Sequence, residues 1–224
     1  KSAEEQRRVR QAVATTVEIW DATGAWLRPG VTELEVAAFM HGQLDARGVG
    51  PAWDRAYCPT VIAGPDSPGF HAGPGTFAIN PGETLAMDFG VRQDLYTSDM
   101  QRTWYLLAPG ETDAPAPVRE AFAVVVDVIQ AAAQTLKPGV QGWEVDAVGR
   151  RIFAEAGFEE WPYALGHQIG RIEGEARTAS IQAALTDSDM VSLREDLMEQ
   201  VGRYRSRGII IDVSSRAVDQ LVPR

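Results

Sequence analysis

Apolar and polar positions along the chain fall into blocks of two periods. Helical spacing predicts helices at roughly 3–26, 33–47, 118–136 and 142–156. Extended, β-rich runs predict strands around 58–64, 83–92, 95–107, 164–172 and 208–215. Local signals mark the helix ends. Ser2 with Glu5, and Thr32 with Glu35, each have the spacing of a capping box, in which a hydroxyl and a carboxylate satisfy the first free amides reciprocally. Gly48 stands where a helix C-terminus needs a left-handed residue.

The pattern repeats. Leu27-Arg28-Pro29-Gly30-Val31 recurs 109 positions later as Leu136-Lys137-Pro138-Gly139-Val140. The echo continues without gaps through Glu35-Val36 with Glu144-Val145, Ala38 with Ala147, and Gly48 with Gly157. Chance supplies a Pro-Gly pair, not the rest in register. The chain therefore reads as two halves, about 1–110 and 115–224, each opening on a helix pair. The seam is rich in chain breakers, Ala108-Pro109-Gly110 through Pro115 and Pro117. Paired helices with antiparallel strands predict an α+β fold, its sheet covered by helices on one side, with a cleft where the halves meet.

Composition narrows the function classes. Apolar residues are 45% and charged residues 23% of the 224, the balance of a globular chain rather than a disordered or fibrous one. Acids outnumber bases 31 to 21, a formal charge of −10 that disfavours nucleic acid and anionic membrane as partners. No apolar run approaches the roughly 20 residues needed to span a bilayer. Cys58 is the only cysteine, which excludes an internal disulfide and a Cys-based zinc cage and points to a reducing, cytoplasmic setting.

The chemistry concentrates in residues 84–106. A hairpin turning at Gln93-Asp94 brings Asp88 opposite Asp99 on one face. Side chains directly opposed have Cβ atoms about 4.5–5.5 Å apart. Two carboxylates there, beside Met87, Phe89, Val91 and Met100, repel each other unless a cation lies between them. The bland alternative is a pair of solvated hairpin acids. The three histidines divide: His41 falls inside a helix as a filler. His71 follows a Gly/Pro loop leading to the Asp88 strand, and His167 lies in Gly166-His167-Gln168-Ile169-Gly170. Downstream, Glu195 and Asp212 add carboxylates, the latter in an apolar run where a lone acid needs a partner or a metal.

These motifs together resemble the pita-bread metallopeptidase family, which includes methionine aminopeptidase, aminopeptidase P and Xaa-Pro dipeptidase. Asp88-Phe89-Gly90 with Ser98-Asp99 and Arg102-Thr103 is similar to the family's paired-aspartate hairpin, and the glycine-flanked His167 to its metal-binding loop. The N-terminal helices and the His71 loop are closer to the Xaa-Pro branch. The resemblance implies one pita-bread catalytic domain over 1–224, two pseudo-symmetric halves around a curved antiparallel sheet, with a further domain upstream of Lys1.

It also implies roles. Asp88 would chelate one metal, Asp99 would bridge two, His167 and Glu195 would hold the other, and Asp212 would stand where the family places a bridging Glu. His71 would face the reacting centre, and Glu195 would shuttle the proton. The implied cofactor is a pair of divalent ions, manganese first on a carboxylate-rich ligand set, with cobalt or zinc as alternatives. They would supply the hydroxide that hydrolyses a short peptide next to proline. A homodimer is a further expectation. Two departures are visible: Glu173-Gly174-Glu175 replaces a second His, and Glu195 lies in a charged run in which Asp189, Asp196 and Glu199 compete for its role. A family member that binds without hydrolysing, and non-peptide chemistry on the same fold, are the other readings.

Overall fold

The computed structural model describes residues 1–69, 72–158, 165–167 and 169–171. Two long helices, α1 (Ala3–Trp26) and α2 (Glu33–Arg47), precede six short strands: β1 (Gly50–Pro51), β2 (Thr60–Ala63), β3 (Thr84–Phe89), β4 (Val91–Gln93), β5 (Tyr96–Thr97) and β6 (Met100–Tyr105). A second helix pair follows, α3 (Ala116–Thr135) and α4 (Gly142–Glu155).

Both expected capping boxes form. Ser2 and Glu5 exchange bonds at 2.7 and 3.3 Å, and Thr32 and Glu35 at 2.8 and 3.3 Å. The repeat is carried by backbone geometry. Gly30 and Gly139 have φ of 88° and 85°, and Gly48 and Gly157 have 65° and 83°, all in the left-handed region that a side chain disfavours. Past each second helix the same closing bond recurs, Val49 N to Leu44 O at 3.2 Å and Phe158 N to Phe153 O at 3.0 Å.

The strands make two antiparallel sheets, ordered β1-β4-β5 and β2-β3-β6. A single long hairpin, 84–105, crosses both. The inner face of β2-β3-β6 is apolar: Val61, Leu85, Met87, Phe89, Met100 and Trp104 pack with Ile19, Trp20, Val36, Met40 and Leu44 of α1 and α2. Trp20 anchors this core, its ring 5.6 Å from Phe89 and 5.4 Å from Trp104. Arg102 is buried in the same layer, its guanidinium 5.9 Å from the Trp20 ring. Strand alternation turns Thr60, Asp88, Gln101 and Thr103 to the other face. The expectation of a sheet covered by helices on one side is met.

Two expectations are corrected. The hairpin turns at Asp94-Leu95, not Gln93-Asp94: Gln93 pairs with Tyr96 and Arg92 with Thr97. Both turn residues have positive φ, 49° and 70°, the backbone of a two-residue turn matched to strand twist. Second, residues 165–167 and 169–171 form no strand. The strand expected at 208–215 lies outside the described residues.

Candidate active site

The corrected turn changes the partner of Asp88. It pairs with Gln101, and Phe89 with Met100, so Asp99 is not its direct opposite. The displacement is two residues, and because the side-chain period is two, both carboxylates keep the same face. They become diagonal neighbours, which in a regular ladder stand roughly 7–8 Å apart, a span that bound cations can bridge.

Gly90 separates β3 from β4 on one arm, and Ser98-Asp99 separate β5 from β6 on the other. A Cβ at Gly90 would lie 2.2 Å from the Ser98 carbonyl oxygen and 2.7 Å from the Ala52 Cβ. Only glycine permits this approach, so the hairpin bends where Asp99 is presented. Ser98 is locked from behind: the Val91 N–H donates to its Oγ at 2.8 Å, and that Oγ lies 2.6 Å from the Thr16 hydroxyl of α1.

His167 reaches the same place. Its Nε2 lies 3.0 Å from Oδ2 of Asp99, with both side chains largely shielded. The loop that delivers it is fixed on both sides. Leu165 packs on the α3–α4 core, and its N–H donates to Oδ1 of Asp146 at 2.9 Å. Beyond His167, the Gly170 carbonyl accepts from Thr97 N at 2.8 Å and Thr97 Oγ1 at 3.2 Å. The imidazole therefore meets Asp99 through the backbone of β5.

A carboxylate and an imidazole in contact, with a second carboxylate on the same face, are the donor types that divalent cations take. Two more atoms there await partners: Oε1 of Gln101 and Oγ1 of Thr103 are buried with no hydrogen bond among the described residues. Among those residues no group of three or more His, Cys, Asp or Glu forms a metal cage. Glu195, Asp212 and His71 lie outside the described residues, as do Asp189, Asp196 and Glu199.

His41, expected as filler, bonds instead: its Nε2–H donates to the Cys58 carbonyl at 2.7 Å, tying α2 to the approach of β2. Burial pushes the Cys58 thiol up to about 12. Sequence reasoning missed Glu33. This acid is wholly buried at the start of α2 and accepts from Ala63 N (3.0 Å), Ser67 Oγ (2.6 Å) and Gly75 N (2.8 Å). Three donors explain how a buried carboxylate is tolerated. The signal was available, since Glu33 and Glu35, two positions apart, cannot both serve the same cap.

Comparison with known proteins bears on the family and the fold. The model of metallopeptidase family M24 matches residues 7–195. An uncharacterized peptidase of Staphylococcus aureus is 29% identical over 193 residues, covering 85% of this chain and 53% of that protein. One from Staphylococcus saprophyticus is 31% identical over 181 residues, covering 80% and 49%. Among solved structures, the X-Pro aminopeptidase from Thermotoga maritima matches with a TM-score of 0.72 at 27% identity, over 84% of this chain and 52% of that one. The prolidase from Pyrococcus furiosus matches at 0.71 and 25%, over 84% and 54%. The chain spans about half the length of the curated relatives it matches.

Proposed function

The chain belongs to metallopeptidase family M24 and has its pita-bread fold, and from that premise we propose that it is a metal-dependent exopeptidase cleaving a peptide bond next to proline. The contact between Asp99 and His167, residues 68 positions apart in sequence but 3.0 Å apart in space, carries this reading. Likeness to an X-Pro aminopeptidase and a prolidase supports the substrate class.

In this proposal Asp88, Asp99 and His167 hold two divalent ions, with Glu195 and Asp212 completing the set. Manganese is the first choice, because carboxylate-rich sites favour hard cations. When bound, such ions lower the pKa of water to near neutrality and offset charge developing on the scissile carbonyl oxygen. The protein's own part is positional. Asp99 and the His167 Nε2 stand 3.0 Å apart, so one cation can be shared between them, and the bend at Gly90 sets how the two acids are spaced. Glu195 takes the proton from the attacking water and returns it to the leaving amine. His71 hydrogen-bonds the substrate at the reacting centre.

A dipeptide panel tests this. With manganese supplied, Xaa-Pro is expected to be cleaved in preference to Xaa-Ala and Met-Xaa; preference for either of the others would contradict the substrate class. A member that binds without hydrolysing is the second reading, resting on Gly174 where the resemblance places a His. Gly174→His is expected to raise turnover, and an unchanged rate would count against a single missing group.

A further inference from the structure

Behind Asp99 the hairpin is bonded to α1. Thr16 and Ser98 are both wholly buried, and their hydroxyl oxygens are 2.6 Å apart. The direction of each bond follows from counting protons. Thr16 has one, and the Ala12 carbonyl accepts it at 2.8 Å. Ser98 Oγ already accepts from the Val91 N–H at 2.8 Å, so its own proton goes to Thr16. The reverse order would leave Ser98 donating to the Val91 carbonyl at 3.5 Å, a poor bond, and would leave the Ala12 carbonyl without its hydroxyl. One polarised chain therefore runs Val91, Ser98, Thr16, Ala12, with every member satisfied.

This chain holds both arms of the hairpin at its bend. Val91 follows Gly90, and Ser98 precedes Asp99. The Ser98 backbone is also pinned, its N–H donating to the Val91 carbonyl at 2.9 Å. Ser98 faces the helix while Asp99 meets His167, so a shift of Ser98 moves the carboxylate on the other side.

We propose that Thr16 is a positioning residue for the metal ligands: through Ser98 it sets the place from which Asp99 acts. The inference rests on the reading of Asp99 and His167 as metal ligands. Nothing in the sequence around Thr16 marks it, because a threonine in a helix bonding back to the carbonyl four residues earlier is common.

Thr23 provides the control. It lies on the same helix, is equally buried, and donates to the Ile19 carbonyl at 2.7 Å, but among the described residues it has no bond to the hairpin. Manganese affinity is measured by titration, following the signal of the free ion, for the wild type, Thr16→Val, Thr16→Ser and Thr23→Val. Amide exchange of Val91 is read on the metal-free proteins. Thr16→Val is expected to weaken manganese binding about tenfold, the lower end of what losing an outer support of a metal ligand costs, and to speed Val91 exchange. Thr16→Ser, which keeps the hydroxyl, is expected to restore both, and Thr23→Val to leave both near wild type. Equal weakening in Thr16→Val and Thr23→Val would overturn the inference by reducing it to general loosening of α1. Unchanged affinity in Thr16→Val with intact wild-type binding would overturn it alone. A wild-type chain that takes up no manganese would overturn the metal reading beneath it.

Discussion

The two helix pairs share a register 109 residues apart, yet they differ at the positions that hold the neighbouring loops. Met40 of α2 fills the first core; its counterpart on α4 is Gly149, where a Cβ would lie 3.2 Å from both Cδ atoms of Leu165. Buried Ala37 corresponds to Asp146, whose carboxylate accepts from Leu165 N. The second half thus gives up a core side chain and gains a polar one, and both changes seat the loop that carries His167. The first half departs in its own places. Glu33 and Thr16 secure its loop and hairpin, while their counterparts are Gly142 and Val125. Shared positions build the scaffold, and divergent ones seat the His167 loop and the Asp99 hairpin.

Breaking the site itself should have the largest effect. Asp99→Asn removes the charge of a carboxylate in contact with His167, and hydrolysis is expected to fall by more than about 100-fold, beyond the usual loss for an outer support. Activity within about threefold of wild type would show that the hairpin does not carry the chemistry. Next come the cores. Met40→Ala should cost about 2–5 kcal/mol in denaturant unfolding, as large-to-small core changes do. Gly149→Ala should cost about 1–3 kcal/mol through crowding, and it should weaken metal binding because Leu165 must move. Loss of stability at Gly149 with unchanged metal affinity would break the link between that glycine and the loop.

The caps sharpen the comparison further. Thr32→Ala removes a hydroxyl cap from α2 and should cost about 1 kcal/mol. Gln141→Ala at the matching position should cost less, because the Glu144 N–H bonds the Gln141 backbone carbonyl at 3.0 Å, which the substitution leaves in place. Thermal midpoints of the two variants decide this, and a larger drop for Gln141→Ala would contradict it. The smallest effect concerns Cys58. Its thiol stays protonated in the folded chain up to about 12 but ionises near its ordinary value of 9.0 once unfolded. Between those values the folded state holds one proton more, so its contribution to stability falls as pH rises. Alkylation of native protein at pH 8 should be slow against the denatured chain, and equal rates would show the thiol to be exposed.

The helices were legible because their determinants are local: Thr32 and Glu35 act within one turn, and Gly48 ends the helix by its own backbone freedom. The face shared by Asp88 and Asp99 was legible too, because strand alternation survives a two-residue error. The register was not. Asp94-Leu95 carries no glycine, so nothing in the pair announces a turn of positive φ. Gly90 looks like an ordinary strand glycine until the Ser98 carbonyl is seen against it. Met40 and Gly149 are aligned by the repeat, but only the packing of Leu165 explains the difference.

The central claim is that the acids on the hairpin and the imidazole of the second half hold metal together. Equilibrium dialysis against excess manganese, followed by metal analysis, tests it most directly. Two ions per wild-type chain, reduced in both Asp99→Asn and His167→Ala, is the predicted result. Fewer than two on the wild type, or two retained in both variants, would contradict it.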